Sequence, residues 1–140
     1  SVFLIFSVLD LAFASATAIY FDDTHLAVVS PDDAYVLNPD FVFIPDDDPR
    51  EQNSYHTFVV QVDRRDELIA HLTSCGIGTA IHYPIPIHLQ PASKLLGFGE
   101  GSFPVTENQS KRILTLPINQ HLTEHEIQIV SQTVNSFYER

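Results

Sequence analysis

Apolar positions along this chain change period several times, and the changes mark elements. From Tyr55 to Val62, residues His56, Phe58, Val60 and Val62 fall on one face, the two-residue spacing of a half-buried strand rich in β-branched and aromatic side chains. Leu68, Ile69, Leu72 and Cys75 then recur at helical spacing. Asp63 reads as the cap of that helix, Asp66 and Glu67 suit its positive end, and Gly76 suits the position just past its end. Cys75 reads as small core filler. A second strand is expected over Ile77–Tyr83, with large residues at odd positions and Gly78, Ala80 and His82 between them. A strand face of that kind leaves room for another backbone or a ligand. Pro84 and Pro86 lack the backbone donors of a regular strand, so the chain must leave the sheet there. Pro91 opens a short helical turn to Leu96, and the glycine-spaced stretch 97–101 is a turn. Ser102 and Pro104 start another helix, Ile113–Leu116 is a third strand stopped by Pro117, and Thr123 with Glu126 forms a capping box. Ile127, Val130, Val134 and Phe137 make one face of a closing helix. The expected order is β-α-β-loop-α-β-α, an α+β arrangement of few strands with helices packed on them.

The upstream part is less orderly. Leu26–Val29, Tyr35–Leu37 and Phe41–Ile44 are short β-prone runs separated by Pro- and Asp-containing turns, the pattern of a small meander. The stretch from Pro45 to Pro49, with Asp46, Asp47 and Asp48 between, reads as an exposed linker or turn. Ser1–Tyr20 is strongly apolar, but it has no basic lead-in and carries Asp10 within the run, which argues against a secretory signal. An Asp near the centre of a membrane helix costs about 2.5–3.5 kcal/mol, which argues against a span. The run reads as a buried or interface segment, or as disrupted sequence. Residues 1–40 are left unassigned, and residues 41–140 form the second unit.

Composition narrows the function classes. At 140 residues and 44% hydrophobic, the chain can bury a core without metal or disulfide. Its net charge of -11 argues against nucleic acid and against an anionic membrane surface as partners. The charge is uneven: residues 1–50 hold nine Asp against Arg50 alone, a net -8. One cysteine excludes an internal disulfide framework and suits a reducing, cytoplasmic setting. Only two lysines are present, Lys94 and Lys111, which restricts any chemistry needing a lysine amine.

The densest polar set is His82, Tyr83, His88 and Gln90, on a proline-stiffened stretch. It could face a ligand; alternatively, His82 is a satisfied buried histidine and His88 lies on the surface. His121 and His125 are four apart, but the capping Thr123 between them keeps them off one regular helical face, and no metal site is expected. Gly97, Gly99 and Gly101 lack the order of a phosphate-binding loop and its Lys-Ser/Thr pair, so a turn is expected. Spacing alone yields no complete catalytic set.

Several segments, in order, carry a resemblance. They are Tyr55–Val60, Arg65–Leu68, Gly76–Pro84, Pro86–Ala92, Gly97–Gly99, Phe103–Glu107, Leu114–Ile118 and Leu122–Thr123. Together they resemble the C-terminal part of the DegT/DnrJ/StrS family of pyridoxal-phosphate-dependent sugar aminotransferases. The resemblance runs from about Phe41 or Tyr55 to the end.

The resemblance implies the small C-terminal domain of a fold-type-I aminotransferase. Such enzymes move an amino group between an amino-acid donor and a keto sugar carried on a nucleotide. By the same resemblance His82, Tyr83, His88 and Gln90 line the substrate region, and the complete enzyme is a homodimer. Pyridoxal phosphate needs a Schiff-base lysine, a carboxylate at the pyridinium nitrogen and a phosphate site. The family holds these in a large domain upstream of the matched region, and neither Lys94 nor Lys111 stands in a matching context. The expectation is therefore a fragment of such an enzyme, missing its large domain and inactive alone. The alternatives are a non-catalytic binding or regulatory β-α-β module and, resting only on the apolar start, a small secreted protein.

Overall fold

The computed structural model describes residues 19–22, 25–28, 35–44, 50, 56–119 and 121–139. The expectations for residues 1–18, for the Pro45–Pro49 linker and for a strand start at Tyr55 lie outside these residues.

Among the described residues, two sheets are present. Strands β1 (Ile19–Asp22) and β2 (His25–Val28) pair antiparallel as a two-stranded unit, Ile19 opposite Val28. The main sheet has β4 (Phe58–Val62) at its centre, flanked by β3 (Val42–Phe43) and β5 (Ile113–Leu116), all antiparallel. Its register sets Val42 opposite Val62 and Phe58 opposite Leu116. Along β4 the period-2 expectation holds: Phe58, Val60 and Val62 are buried, and Val59 and Gln61 are half-buried. His56, expected on the same face, is exposed.

Helix α1 (Arg65–Ser74) follows β4, but Asp63 does not cap it. The capping position is Arg64, in the left-handed region at φ 53° with no side-chain cap bond. Its guanidinium bonds Glu67 at 2.6 Å and lies 4.6 Å over the Phe137 ring, which holds this conformation against its intrinsic cost. Asp63 instead pairs with Arg112 at 3.1 Å, and its carbonyl accepts the Tyr138 hydroxyl. At the other end Gly76, φ 78°, does close the helix. The N–H of Gly76 bonds the Thr73 carbonyl, and that of Ile77 bonds the Leu72 carbonyl, the paired bonds of a Schellman motif. Cys75 is exposed, so the core-filler reading is overturned: the left-handed turn passes the apolar role to Ile77, which is buried.

Helix α2 (Pro104–Arg112) starts on its proline, and α3 (Glu124–Tyr138) starts on the expected capping box. There the Glu126 N–H donates to Thr123 Oγ1 at 3.3 Å, and the Thr123 N–H donates to Glu126 Oε2 at 2.8 Å. Leu68 and Leu72 of α1, Val60 of β4, Leu114 and Leu116 of β5, and Ile127, Val130 and Val134 of α3 share one core. Phe137, expected on that face, is partly buried against it.

That core extends upstream of the boundary drawn at residue 41. Tyr35 is buried, stacks on Phe58 at 5.0 Å and donates its hydroxyl to the Pro117 carbonyl. Asn135 of α3 accepts from the Asn38 N–H at 3.0 Å and donates to the Val36 carbonyl at 2.8 Å. Tyr35–Leu37 is consequently not a strand; side chains, rather than a ladder, hold it. The result is an α+β small domain: one three-stranded antiparallel sheet with α1 and α3 packed together over its core face. Among the described residues, no helix is long and apolar enough to cross a membrane.

Candidate functional site

The expected second strand, Ile77–Tyr83, is reduced to one bridge, Ala80 opposite Thr115 on the outer edge of β5. Both backbone bonds form there, the Thr115 N–H to the Ala80 carbonyl at 2.8 Å and the reverse at 3.2 Å. Gly78 has no side chain to pack, and Pro84 and Pro86 cannot donate, so pairing does not propagate. Thr115 itself is buried, and its hydroxyl Oγ1 lies 2.9 Å from His82 Nδ1. His82 is otherwise exposed, and its ring meets that of Tyr83 edge-on at 5.6 Å. Tyr83 is 74% exposed. This corner offers an anchored imidazole beside a projecting phenol, both able to hydrogen-bond a polyhydroxyl ligand.

The two histidines reverse the alternative reading from spacing: His82 is the exposed one and His88 the buried one. His88 sits in the single turn Ile87–Leu89, with Nε2 2.9 Å from Glu107 Oε1. Glu107 Oε1 also accepts from the Phe103 N–H at 3.1 Å, and both carboxylate oxygens lie within 3.0 Å of the Gly101 nitrogen. These bonds, Gly101 first, then His88 and Phe103, outweigh partial desolvation and hold the Glu107 carboxyl below the usual range. Phe103 packs edge-on against His88 at 4.8 Å and against Phe98 at 5.1 Å. Gln90 is half-buried and donates to the Ile85 carbonyl at 3.3 Å, closing its own stretch of chain.

The glycine turn is explained by the same carboxylate. Gly97 and Gly101 take positive φ, 74° and 86°, and the loop leads to the amino end of α2. Exposed N–H groups there would attract an anion, but Glu107 already supplies one from within the chain. Ser102 completes the turn, its N–H bonding the Gly99 carbonyl at 3.1 Å. Of the expected site residues, His82 and Tyr83 come together, whereas His88 is gathered with Glu107 and the two Phe rings. Sequence reasoning gave Thr115 and Glu107 no role. An acid in the first turn of a helix behind a glycine loop was the available signal for Glu107; Thr115 had none, because its partner is 33 positions away.

Residues 37–135 match the DegT/DnrJ/EryC1/StrS aminotransferase family. The chain belongs to this family. It is 41% identical over 99 residues to the dTDP-3-amino-3,4,6-trideoxy-alpha-D-glucose transaminase of Streptomyces venezuelae, covering 71% of this chain and 25% of that protein. It is 40% identical over 95 residues to the erythromycin biosynthesis sensory transduction protein EryC1 of Saccharopolyspora erythraea, covering 68% and 26%. Among solved structures, S. venezuelae DesV aligns with TM-score 0.67 at 38% identity, over 71% of this chain and 27% of that one. A Brucella abortus family member aligns with TM-score 0.66 at 30% identity, over 72% and 27%. The chain thus spans about a quarter of the length of these relatives.

The family is pyridoxal-phosphate-dependent. The amines of this chain do not fit the covalent part of that site. Lys94 lies in the exposed turn Pro91–Leu96, and Lys111 lies on the exposed side of α2. A Schiff-base lysine works from a shielded pocket that lowers the cost of its neutral form, and neither position provides one.

Proposed function

We propose that this chain is the C-terminal small-domain portion of a pyridoxal-phosphate-dependent aminotransferase acting on nucleotide-linked keto sugars. Residues 82–90 form one wall of the substrate cleft: His82 and Tyr83 face the sugar, and His88 and Gln90 hold the wall in shape. The cofactor, its lysine and the amino-acid donor site belong to a large domain, so the chain is inactive alone. The complete enzyme is a cytoplasmic homodimer.

The observation that carries this reading is where the exposed apolar side chains fall. Among the described residues, nine of the twelve large hydrophobics left exposed lie between Tyr83 and Val105, including Ile87 at 77% and Leu95 at 99%. A concentration of this kind beside an anchored histidine suits a surface that meets another domain rather than water. The relatives support the substrate class, since several are named as transaminases of dTDP- or UDP-linked sugars.

The test is reconstitution. The purified chain is treated with pyridoxal phosphate and borohydride, alone and after co-expression with the large domain of the S. venezuelae transaminase. Alone, no reduced adduct forms at Lys94 or Lys111. Co-expressed, the two pieces copurify and amino transfer to a nucleotide-linked keto sugar appears. Specific trapping at Lys94 or Lys111, or failure of the two pieces to associate, refutes the reading.

A further inference from the structure

The Glu107 carboxylate joins two stretches that are separate in sequence: the turn holding His88, and the glycine loop from Gly101 to Phe103 that leads into α2. Its Oε1 faces all three nitrogens, of His88, Gly101 and Phe103, and Oε2 shares the Gly101 N–H at 2.9 Å. The carboxylate thus gives the Gly101 N–H two acceptor oxygens, where a glutamine amide would set its own NH2 group against that N–H. Facing an ionised carboxylate, the His88 Nε2 is the donor of their bond. The exposed stretch from Tyr83 to Ile87 is therefore fastened on both sides, by His82 on Thr115 and by His88 on Glu107.

We infer that Glu107 is a positioning residue for the substrate wall: through His88 and the Gly101 and Phe103 amides it fixes residues 82–90 and the 97–103 loop as one unit. The inference rests on the reading of residues 82–90 as a cleft wall. Glu107 needs no contact with substrate to do this, since its bonding is filled by the chain itself.

The experiment compares the full chain with Glu107→Gln by amide hydrogen exchange and by the nitrogen shifts of the His88 ring. In the unsubstituted chain His88 shows the Nε2–H form. In Glu107→Gln the Gly101 and Phe103 amides exchange roughly tenfold faster or more, while Val60 and Leu114 stay within about twofold. The His88 ring loses its preference for a proton on Nε2. Unchanged Gly101 and Phe103 exchange, or an unchanged His88 ring, overturns the inference. If Glu107→Gln also loses protection at Val60 and Leu114, Glu107→Asp decides, because it keeps the charge on a shorter arm. Faster loop amides over an intact core then support the inference; loss of the core again overturns it. No substrate or cofactor enters these measurements, so their failure is distinct from failure of the cleft assignment, which reconstitution tests.

Discussion

The Nδ1 atom of His82 lies 2.9 Å from the hydroxyl of Thr115, a buried residue whose backbone also makes both bonds of the Ala80 bridge. One position on β5 thus holds the candidate site by main chain and side chain together.

Thr115→Val separates the two contributions. It keeps the backbone bridge and removes the hydroxyl, so stability falls by about 0.5–1.5 kcal/mol at most, read from a urea midpoint. In the reconstituted enzyme, Thr115→Val and His82→Ala raise KM for the nucleotide sugar more than they lower kcat. Loss of folding equal to the loss of turnover would mark His82 as a packing residue instead.

Burial sets a second contrast. Leu114 is fully buried and Leu95 is 99% exposed. Leu114→Ala lowers unfolding free energy by about 2–5 kcal/mol. Leu95→Ala changes it by about 0.5 kcal/mol or less, yet weakens association with the large domain. Chemical denaturation and a pull-down measure the two effects.

The capping box of α3 gives a pH signature. Bonds from the Thr123 backbone and side chain hold the Glu126 carboxyl below its ordinary value. A carboxyl lowered on folding stabilises fully above the unfolded value of about 4.3. That contribution is lost as pH falls through the lower folded value. Thr123→Ala therefore costs about 0.5–2 kcal/mol at neutral pH, and its difference from the parent shrinks in acid, as thermal melts across pH will show.

Tyr138 titrates late. Burial, then the nearby Asp63 charge, push its phenol up to about 12. Its hydroxyl donates to the Asp63 carbonyl, a bond that the phenolate cannot make. The associated stability is complete below about pH 10 and is lost as pH rises through the folded value. A phenolate absorbance titration should lose a late-ionising component in Tyr138→Phe.

Local signals carried the sequence reading where local bonds decide the structure. The alternation of Phe58, Val60 and Val62, the Thr123–Glu126 box, Gly76 and the proline start of α2 are each specified by neighbours in sequence. The misreadings are places where distant contacts decide. Asp63 lost its capping role to Arg64, whose unusual backbone is held by Phe137 on the last turn of α3. Tyr35–Leu37 looked like a strand but is fastened by Pro117 and Asn135. In the site, position 82 was legible as polar chemistry on a stiff loop; which histidine would turn inward was not, because Glu107 and Thr115 made that choice from elsewhere.

The Ala80 bridge has a consequence for how the chain behaves in company. Among the described residues β5 is a terminal strand of its sheet, and an uncovered terminal strand invites pairing with another molecule. The segment leading into His82 occupies that edge at its middle. Anything that peels this segment away, whether a substitution at Ala80 or a ligand pulling on the histidine, also bares a sticky border. The residues leading into His82 thus cover the border of β5 at Thr115.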